Sequence, residues 1–167
     1  MKVSIIGQGY VGLTITAFAA ANHDVVGFDN SQRVVDQLNQ GISHIEGVES
    51  SVIAQWAKAG RYTATTNGAD IKGSDIVVIA VPTPLTKDRK PDMSFIESAC
   101  KTIAENIDQP VLIINESTSY PGTLRKEIAA RITGVEHLYA SSPERVDPGN
   151  TEWGTRNTPR LIGGLTP

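Results

Sequence analysis

A glycine-rich segment early in the chain has the residue spacing of a phosphate-binding loop. It reads GQGYVG at Gly7–Gly12, directly after the apolar run Val3–Ile6 and directly before a segment of helical period. A diphosphate needs backbone N–H groups aimed at it and no Cβ in the way. Gly9 allows that approach, Gly7 makes the tight turn, and Gly12 lets the helix pack closely on the strand. The same spacing occurs in plain tight turns, but its position between a strand and a helix favours a dinucleotide site.

An aspartate follows the second predicted strand. Asp29 comes directly after the apolar run Val25–Phe28. A carboxylate at this position accepts both ribose hydroxyls of adenosine and repels a 2′-phosphate, so it predicts NAD rather than NADP. The alternative is that Asp29 caps the next helix. Ser31 already fits that capping role, so we favour the ribose interpretation.

Polar loops follow three further predicted strands, and they contain Thr83, Thr118 and Glu144. Pro, Ser, Thr and Gly are also what ordinary turns use, so each loop alone has a structural explanation. Ligands of open α/β sheets bind at the carboxyl ends of the strands, so three such loops beside a dinucleotide segment predict one site. The two threonines can offer hydroxyls to the nicotinamide half of the cofactor. Glu144 can act as a base or bind a water or sugar hydroxyl, and the alternative is an ion pair with a neighbouring basic residue.

These loops need a frame that brings several strand ends to one edge. Apolar runs alternate with segments of helical period, which predicts an α/β fold of the Rossmann type, a doubly wound and mainly parallel sheet with helices on both faces. Strands are predicted at Val3–Ile6, Val25–Phe28, Arg61–Thr65, Ile76–Val81, Val111–Ile114 and Leu138–Ala140. Helices are predicted after the glycine-rich segment, from Ser31 to Gln40, from Val48 to Ala59, over Ser94–Asn106 with a capping box of Ser94 and Glu97, and from Pro121 to about Ile132. The longest predicted loops are Thr83–Asp92 and Pro143–Asn157.

The composition narrows the class of protein. The chain has 167 residues, 40% of them hydrophobic, which predicts a single domain with a full core. A net charge of −3, from 15 basic and 18 acidic residues, argues against nucleic acid or an anionic membrane as partner. The first residues lead directly into a strand pattern, so no secretion signal is expected, and no apolar run approaches the ~18 residues that cross a bilayer. The single cysteine excludes an internal disulfide and suits the cytoplasm.

The remaining chemically active side chains do not form a site of their own. Cys100 lies on the apolar stripe of a predicted helix, where a thiol is a core residue rather than a nucleophile. The three histidines have no cysteine or carboxylate at ligand spacing, so no metal site is predicted; they are His23, His44 and His137.

Six short motifs occur in a fixed order along nearly the whole chain. They are GQGYVGL at Gly7–Leu13, VPTP at Val81–Pro84, PDMSFIESA at Pro91–Ala99, ESTSYPGT at Glu116–Thr123, SPER at Ser142–Arg145 and RLIGG at Arg160–Gly164. In this order they resemble the amino-terminal part of the UDP-glucose/GDP-mannose dehydrogenase family. The ordered set is far more specific than the glycine spacing alone.

The resemblance implies an enzyme of polysaccharide biosynthesis that oxidises the C6 alcohol of a nucleotide sugar to a carboxylate with two NAD⁺. It also implies cofactor contacts in addition to the three glycines, at Tyr10, Val11, Asp29, Pro82, Thr83 and Thr118. Thr118 and Glu144 are implied at the reacting centre. There Glu144 helps water to attack a thioester held on a cysteine.

Two departures from the family pattern refine this expectation. UDP-glucose dehydrogenases carry a second glutamate four positions after the one matching Glu144, and here that position is Pro148. The loop is similar to the branch that acts on UDP-N-acetylhexosamines, so UDP-N-acetylglucosamine or UDP-N-acetylmannosamine is favoured over UDP-glucose. The family's nucleophilic cysteine has no counterpart in these residues. The chain is therefore expected to be the NAD-binding domain of a longer enzyme, a homodimer or larger, and to be inactive alone.

Two other functions stay open on sequence grounds. One is another NAD-dependent dehydrogenase, of the β-hydroxyacid type, which shares the glycine spacing but is not expected to carry both ESTSYPGT and SPER. The other is a nucleotide-sensing module without chemistry, which would not need the Thr118 and Glu144 loops.

Overall fold

One seven-stranded sheet organises the chain. In the computed structural model, which describes residues 1–145, 152, 154 and 157–166, the strand order is β3-β2-β1-β4-β5-β6-β7. The strands are β1 Lys2–Ile6, β2 Asp24–Phe28, β3 Tyr62–Thr65, β4 Ile76–Ile79, β5 Leu112–Asn115, β6 Leu138–Ser141 and β7 Gly163–Gly164. The first six pair in parallel, and β7 runs antiparallel to β6. The predicted Rossmann-type sheet is confirmed.

The strand order places a switch point at the middle of the sheet. β1 pairs with β2 on one side and with β4 on the other. After β3 the chain crosses back over the sheet to reach β4, so the connections on the two sides run in opposite directions. A crevice opens at the carboxyl ends of the strands at such a point, and ligands bind there.

Helices cover both faces of the sheet. They are α1 Tyr10–Ala19, α2 Gln32–Asn39, α3 Ser50–Lys58, α4 Ser94–Asn106 and a π-helix at Leu124–Ala129, with a 3₁₀ turn at Gly68–Ile71. One apolar core lies between the sheet and α1, α2 and α3, and a second lies between the sheet, α4 and the π-helix. Cys100 is fully buried in the second core, as its helical stripe predicts.

One predicted helix cap and one predicted helix start are wrong, although α4 has its predicted bounds, Ser94–Asn106. Ser94 and Glu97 do not form a capping box, because the residue before α4 is Met93 and it is Asp92 that accepts the Ser94 N–H at 3.0 Å. Glu97 instead pairs with Arg131 at 2.8 Å. Because Glu97 pairs with Arg131, its side chain does not reach back to the N–H groups at the start of α4.

The helix predicted from Pro121 also begins later than expected. Gly122 has a positive φ of 94°, which no right-handed helix accommodates, so Pro121 lies in a turn. The segment that follows is the short π-helix rather than an α-helix to Ile132.

A buried glutamine joins the glycine-rich segment to the core. The Gln8 side chain is fully buried, and its Oε1 accepts hydrogen bonds from the Tyr62 hydroxyl at 2.9 Å and from the Thr16 hydroxyl at 3.2 Å. Burial, followed by the negative charge of Asp29, raises the pKa of Tyr62, which keeps its hydroxyl a donor. Gly27 provides the space, because a Cβ there would lie 2.5 Å from the Gln8 amide carbon.

We therefore expect Gln8→Leu to lower the free energy of unfolding by about 2–4 kcal/mol, because it leaves buried hydroxyls without an acceptor. Urea denaturation measures the change. Gln55→Leu, at an exposed position of α3, is the control. The double variant Gln8→Leu/Tyr62→Phe should recover part of the loss, and equal effects of Gln8→Leu and Gln55→Leu would contradict the assignment.

Candidate functional site

The three glycines of the first loop have different structural duties. Gly7 has a positive φ of 94° and donates its N–H to Phe28 O at 2.8 Å. A Cβ on Gly12 would collide with the carbonyl of Gly7, so Gly12 lets α1 pack on the turn. A Cβ on Gly9 would meet no protein atom within 4 Å, although Gly9 lines the crevice. Packing therefore does not require a glycine at this position, and the free space beside it fits a diphosphate.

Asp29 connects this loop to the end of β2. Its carboxylate accepts the Gln8 N–H at 2.9 Å on one oxygen and the Ser31 N–H at 2.9 Å on the other. Ser31 caps α2 through Val34 N at 3.4 Å, as predicted. The half-buried carboxylate thus holds the turn in shape and still lines the crevice. An acceptor with lone pairs left over on both oxygens suits a ribose.

The crevice consists of two adjoining clefts. The first, of about 210 Å³, contains Asp29 and the glycine turn and is otherwise mainly apolar. The second, of about 250 Å³, lies over the ends of β4 and β5. Both are lined by Gly9, Ala80, Val81 and Pro82. A ligand with two ends and a diphosphate in the middle fits this arrangement.

The structure brings the predicted cofactor residues to these clefts, except one. The first cleft is lined by Gly7, Gly9, Asp29 and Pro82, and the second by Gly9, Tyr10, Val11, Pro82, Thr83, Thr118 and Glu144. Gly12 lies behind the turn, where it packs rather than lining a cleft. Pro148, on which the predicted substrate class depends, lies outside the described residues. So does part of the predicted loop Pro143–Asn157.

Two side-chain contacts join the loops after β4 and β5. The Thr83 hydroxyl donates to the carbonyl of Thr118 at 2.7 Å. The Ser117 hydroxyl accepts the Val81 N–H at 2.9 Å and donates to the Val81 carbonyl at 2.8 Å. The floor of the second cleft is therefore fixed by the protein's own bonds. Ser117 is a structural member of the site that the sequence reading did not single out.

Sequence reasoning also missed two residues that line the clefts. Phe95, at the start of α4, is 42% exposed and forms part of the first cleft. Glu116, directly after β5, is 7% exposed and lines the second. The Arg160 guanidinium contacts both of its oxygens, at 2.9 and 2.7 Å. The available signal was a glutamate and an arginine in two motifs far apart in the chain, but nothing in the sequence pairs them.

His137 has a structural contact, since its Nδ1 accepts the buried Val111 N–H at 3.3 Å. Within residues 1–145 and the described part of the remaining chain, no cluster of three or more potential metal-binding side chains occurs. In the same portion no helix combines the length and apolar character needed to span a bilayer.

A glycine turn between β1 and α1, an acid after β2 and a crevice at the switch point define a dinucleotide-binding domain of the Rossmann class. The sequence also matches, over residues 1–167, the NAD binding domain of the UDP-glucose/GDP-mannose dehydrogenase family. The chain belongs to this family.

Individual relatives are similar along the whole chain. A UDP-N-acetyl-D-mannosamine dehydrogenase of Pyrococcus horikoshii is 36% identical over 99% of this chain and 41% of its own length. A solved structure of the UDP-D-ManNAc dehydrogenase from that organism superposes with a TM-score of 0.85 at 36% identity, over 99% of this chain and 41% of the other. A UDP-N-acetyl-D-glucosamine 6-dehydrogenase of Pseudomonas aeruginosa is 30% identical over 100% of this chain and 40% of its length. The chain thus spans about two fifths of these relatives.

Cofactor choice should depend on Asp29. We expect the chain to bind NAD more tightly than NADP, and Asp29→Ala to lose about 1.5–3 kcal/mol of NAD binding, because hydrogen bonds to a charged acceptor disappear. Calorimetric titration with both cofactors measures this. Asp36→Asn, at an exposed site on α2, is the control and should bind like the parent chain. Equal affinity of the parent chain for the two cofactors would refute the role of Asp29.

Proposed function

We propose that this chain is the NAD-binding domain of an enzyme that oxidises the C6 alcohol of a UDP-sugar to a carboxylate with two NAD⁺. The observation that carries the proposal is the continuous crevice from Asp29 to Glu144. It runs across the carboxyl edge of a sheet in a chain that belongs to a nucleotide-sugar dehydrogenase family throughout its length.

In this proposal the domain binds the cofactor with its adenosine end toward Asp29. The diphosphate lies at Gly9 and the first turn of α1, where free backbone N–H groups and the helix dipole favour negative charge. The nicotinamide end lies toward Thr83 and Thr118, beside Tyr10. When bound, NAD⁺ supplies the oxidising power, because it accepts two electrons from the alcohol carbon. The protein's contribution is to bind and orient it against the substrate.

Glu144 is proposed to act on water or on a sugar hydroxyl at the nicotinamide end. Its side chain is half-buried and lines the second cleft together with Thr118. A carboxylate in such a position can hold a water molecule and take its proton as that water attacks an acyl carbon. This role suits the hydrolytic half of the reaction, which converts a thioester to the free acid.

A UDP-N-acetylhexosamine is the proposed substrate class. The sequence of the Glu144 loop supports it, because proline replaces the second glutamate of UDP-glucose dehydrogenases. The names of the relatives, one for UDP-N-acetyl-D-mannosamine and one for UDP-N-acetyl-D-glucosamine, point the same way. We further propose that the full-length enzyme is a homodimer or larger assembly. We also propose that it is cytoplasmic, in keeping with the single cysteine of this domain.

The 167-residue chain should bind NAD but produce no NADH. Its one thiol, Cys100, is fully buried, and burial raises the pKa of that thiol to about 11, so it cannot serve as the nucleophile. A thermal-shift titration with NAD measures binding. An NADH assay with UDP-N-acetylglucosamine, UDP-N-acetylmannosamine and UDP-glucose measures turnover. Stabilisation without NADH is expected, whereas turnover by these residues alone would show that the nucleophile or the reaction is wrongly assigned.

In the full-length enzyme, Glu144→Gln should slow hydrolysis more than the first oxidation. Loss of a general base costs about 10²–10⁴-fold in rate, so a covalent enzyme–sugar species should accumulate. Mass spectrometry of the intact protein after mixing with substrate and NAD detects it. The matched control is Glu105→Gln, at an exposed position of α4. Unchanged turnover with no trapped adduct would remove Glu144 from the mechanism.

A further inference from the structure

Glu116 occupies an unusual position for a carboxylate. It follows the last residue of β5, its N–H donates to Ile79 O at 2.9 Å, and its side chain is buried beneath the second cleft. A buried charge is costly unless it is paired and hydrogen-bonded. The partners of the Glu116 carboxylate therefore determine whether its charge is stable in this position.

Two groups from different parts of the chain satisfy the Glu116 carboxylate. The Ser142 hydroxyl donates to it, and Arg160 Nη1 lies 2.9 and 2.7 Å from its two oxygens. The Ser142 N–H also donates to Asn115 O at 2.9 Å, which continues the β5–β6 ladder to the start of the loop. The side chain of Arg160 is 21% exposed, so the ion pair is largely shielded from water.

These two partners flank the pairing of β6 with β7. Ser142 directly follows β6, and Arg160 shortly precedes β7, which returns to pair with β6 through Ala140 and Gly164. Residues 142–145, which contain Glu144, and residues 157–160, which end at Arg160, therefore both lie beside the same carboxylate. Glu144 lies two residues after Ser142.

We propose that Glu116 and Arg160 are positioning residues that fix residues 142–145 and 157–160 at the end of β5 and so hold the Glu144 carboxylate at the nicotinamide end of the crevice. This inference rests on the proposed function. Neither residue needs to touch the substrate. Because Glu116 and Glu144 line the second cleft, substitution of Glu116 or Arg160 should weaken binding of the nicotinamide half of the cofactor. Binding of the adenosine half should be unchanged.

The charges around Glu116 support a compensating role for Arg160. Burial raises the pKa of Glu116, the guanidinium of Arg160 and the hydrogen bond from Ser142 oppose that rise, and the negative charge of Glu144 adds to it. Glu116 and Glu144 both line the second cleft, and Arg160 provides the positive charge from the segment that precedes β7. Without Arg160 the pKa of Glu116 should rise further.

The first test compares NAD with ADP-ribose, which lacks the nicotinamide. Arg160→Gln should weaken NAD binding about tenfold, the effect of losing one charged hydrogen-bonding partner, and leave ADP-ribose binding within about twofold. Arg160→Lys, which keeps the charge, should restore most of the NAD affinity. Glu116→Gln, which removes the buried charge, should give the same split if Arg160→Gln folds poorly. Lys72→Gln is the matched control, because it breaks an exposed ion pair with Asp108.

The second test uses pH. A raised pKa in the folded state means that protonated Glu116 favours folding, and this contribution is lost as the pH rises through the folded-state pKa. Arg160→Gln raises that pKa further, so its loss in melting temperature relative to the parent chain should be larger at about pH 8 than at about pH 5. The double variant Glu116→Gln/Arg160→Gln should lack this difference, and so should Lys72→Gln.

The outcomes separate the two proposals. If the parent chain binds ADP-ribose and NAD equally, the nicotinamide end is wrongly assigned and the proposed function fails. The pH test still decides whether Arg160 compensates the buried charge of Glu116. If NAD binds more tightly but Arg160→Gln weakens NAD and ADP-ribose alike, or weakens neither, the positioning role is overturned.

Discussion

The hydrogen bond from the Gln8 N–H to the Asp29 carboxylate connects the features on which the binding edge depends. Its donor belongs to the glycine turn and its acceptor to the end of β2, so the bond fixes the distance between the predicted diphosphate and ribose positions. The Gln8 side chain points the other way, into the core, where Tyr62 and Thr16 hold it. Gln8 therefore fixes the glycine turn to the rigid sheet, while the backbone of that turn stays accessible to a ligand.

The parallel sheet extends this arrangement along the crevice. Because β1, β4 and β5 end at the same edge, the turns that follow them are neighbours in space although they are far apart in sequence. Short hydrogen bonds then fasten each turn to the next, through Ser117 between β4 and β5 and through Glu116 between β5 and the segments flanking β6 and β7. The crevice is thus held along its length by bonds that exist before any ligand arrives, which lowers the entropy cost of binding.

Much of this fold follows from local pattern. Buried parallel strands are continuous apolar runs, and the six predicted strands occur within one or two residues of their predicted limits, because such a run has few other stable environments. The misses have physical causes. β7 consists of two glycines, which have little propensity for strands, so no local pattern predicts their pairing with β6. The capping box failed because Glu97 has a stronger partner in Arg131, which lies just after the π-helix and which local sequence does not reveal.

The site, like the fold, could be predicted from the sequence only in part. Gly7, Gly9 and Asp29 could be predicted to lie together because a single strand–turn–helix unit carries the glycines and its neighbouring strand carries the acid. The convergence of Thr83, Thr118 and Glu144 followed from topology, since strand ends of a parallel sheet share an edge. Glu116 and Arg160 could not be paired in advance, because they are 44 residues apart and no local pattern links them. The catalytic and cofactor roles of all these residues remain proposals.

The missing side chain of Gly27 has a consequence for the history of the sequence. The Gln8 side chain fills the space beside the Gly27 Cα. The side chains at positions 8 and 27 therefore share one volume, although Gly27 lies within β2 and Gln8 lies in the turn after β1. A larger residue at position 27 is tolerable only if position 8 becomes smaller, and a smaller residue at position 8 leaves a void that position 27 can fill. Substitutions at these two positions should therefore be inherited in pairs, and each of them alone passes through a less stable protein.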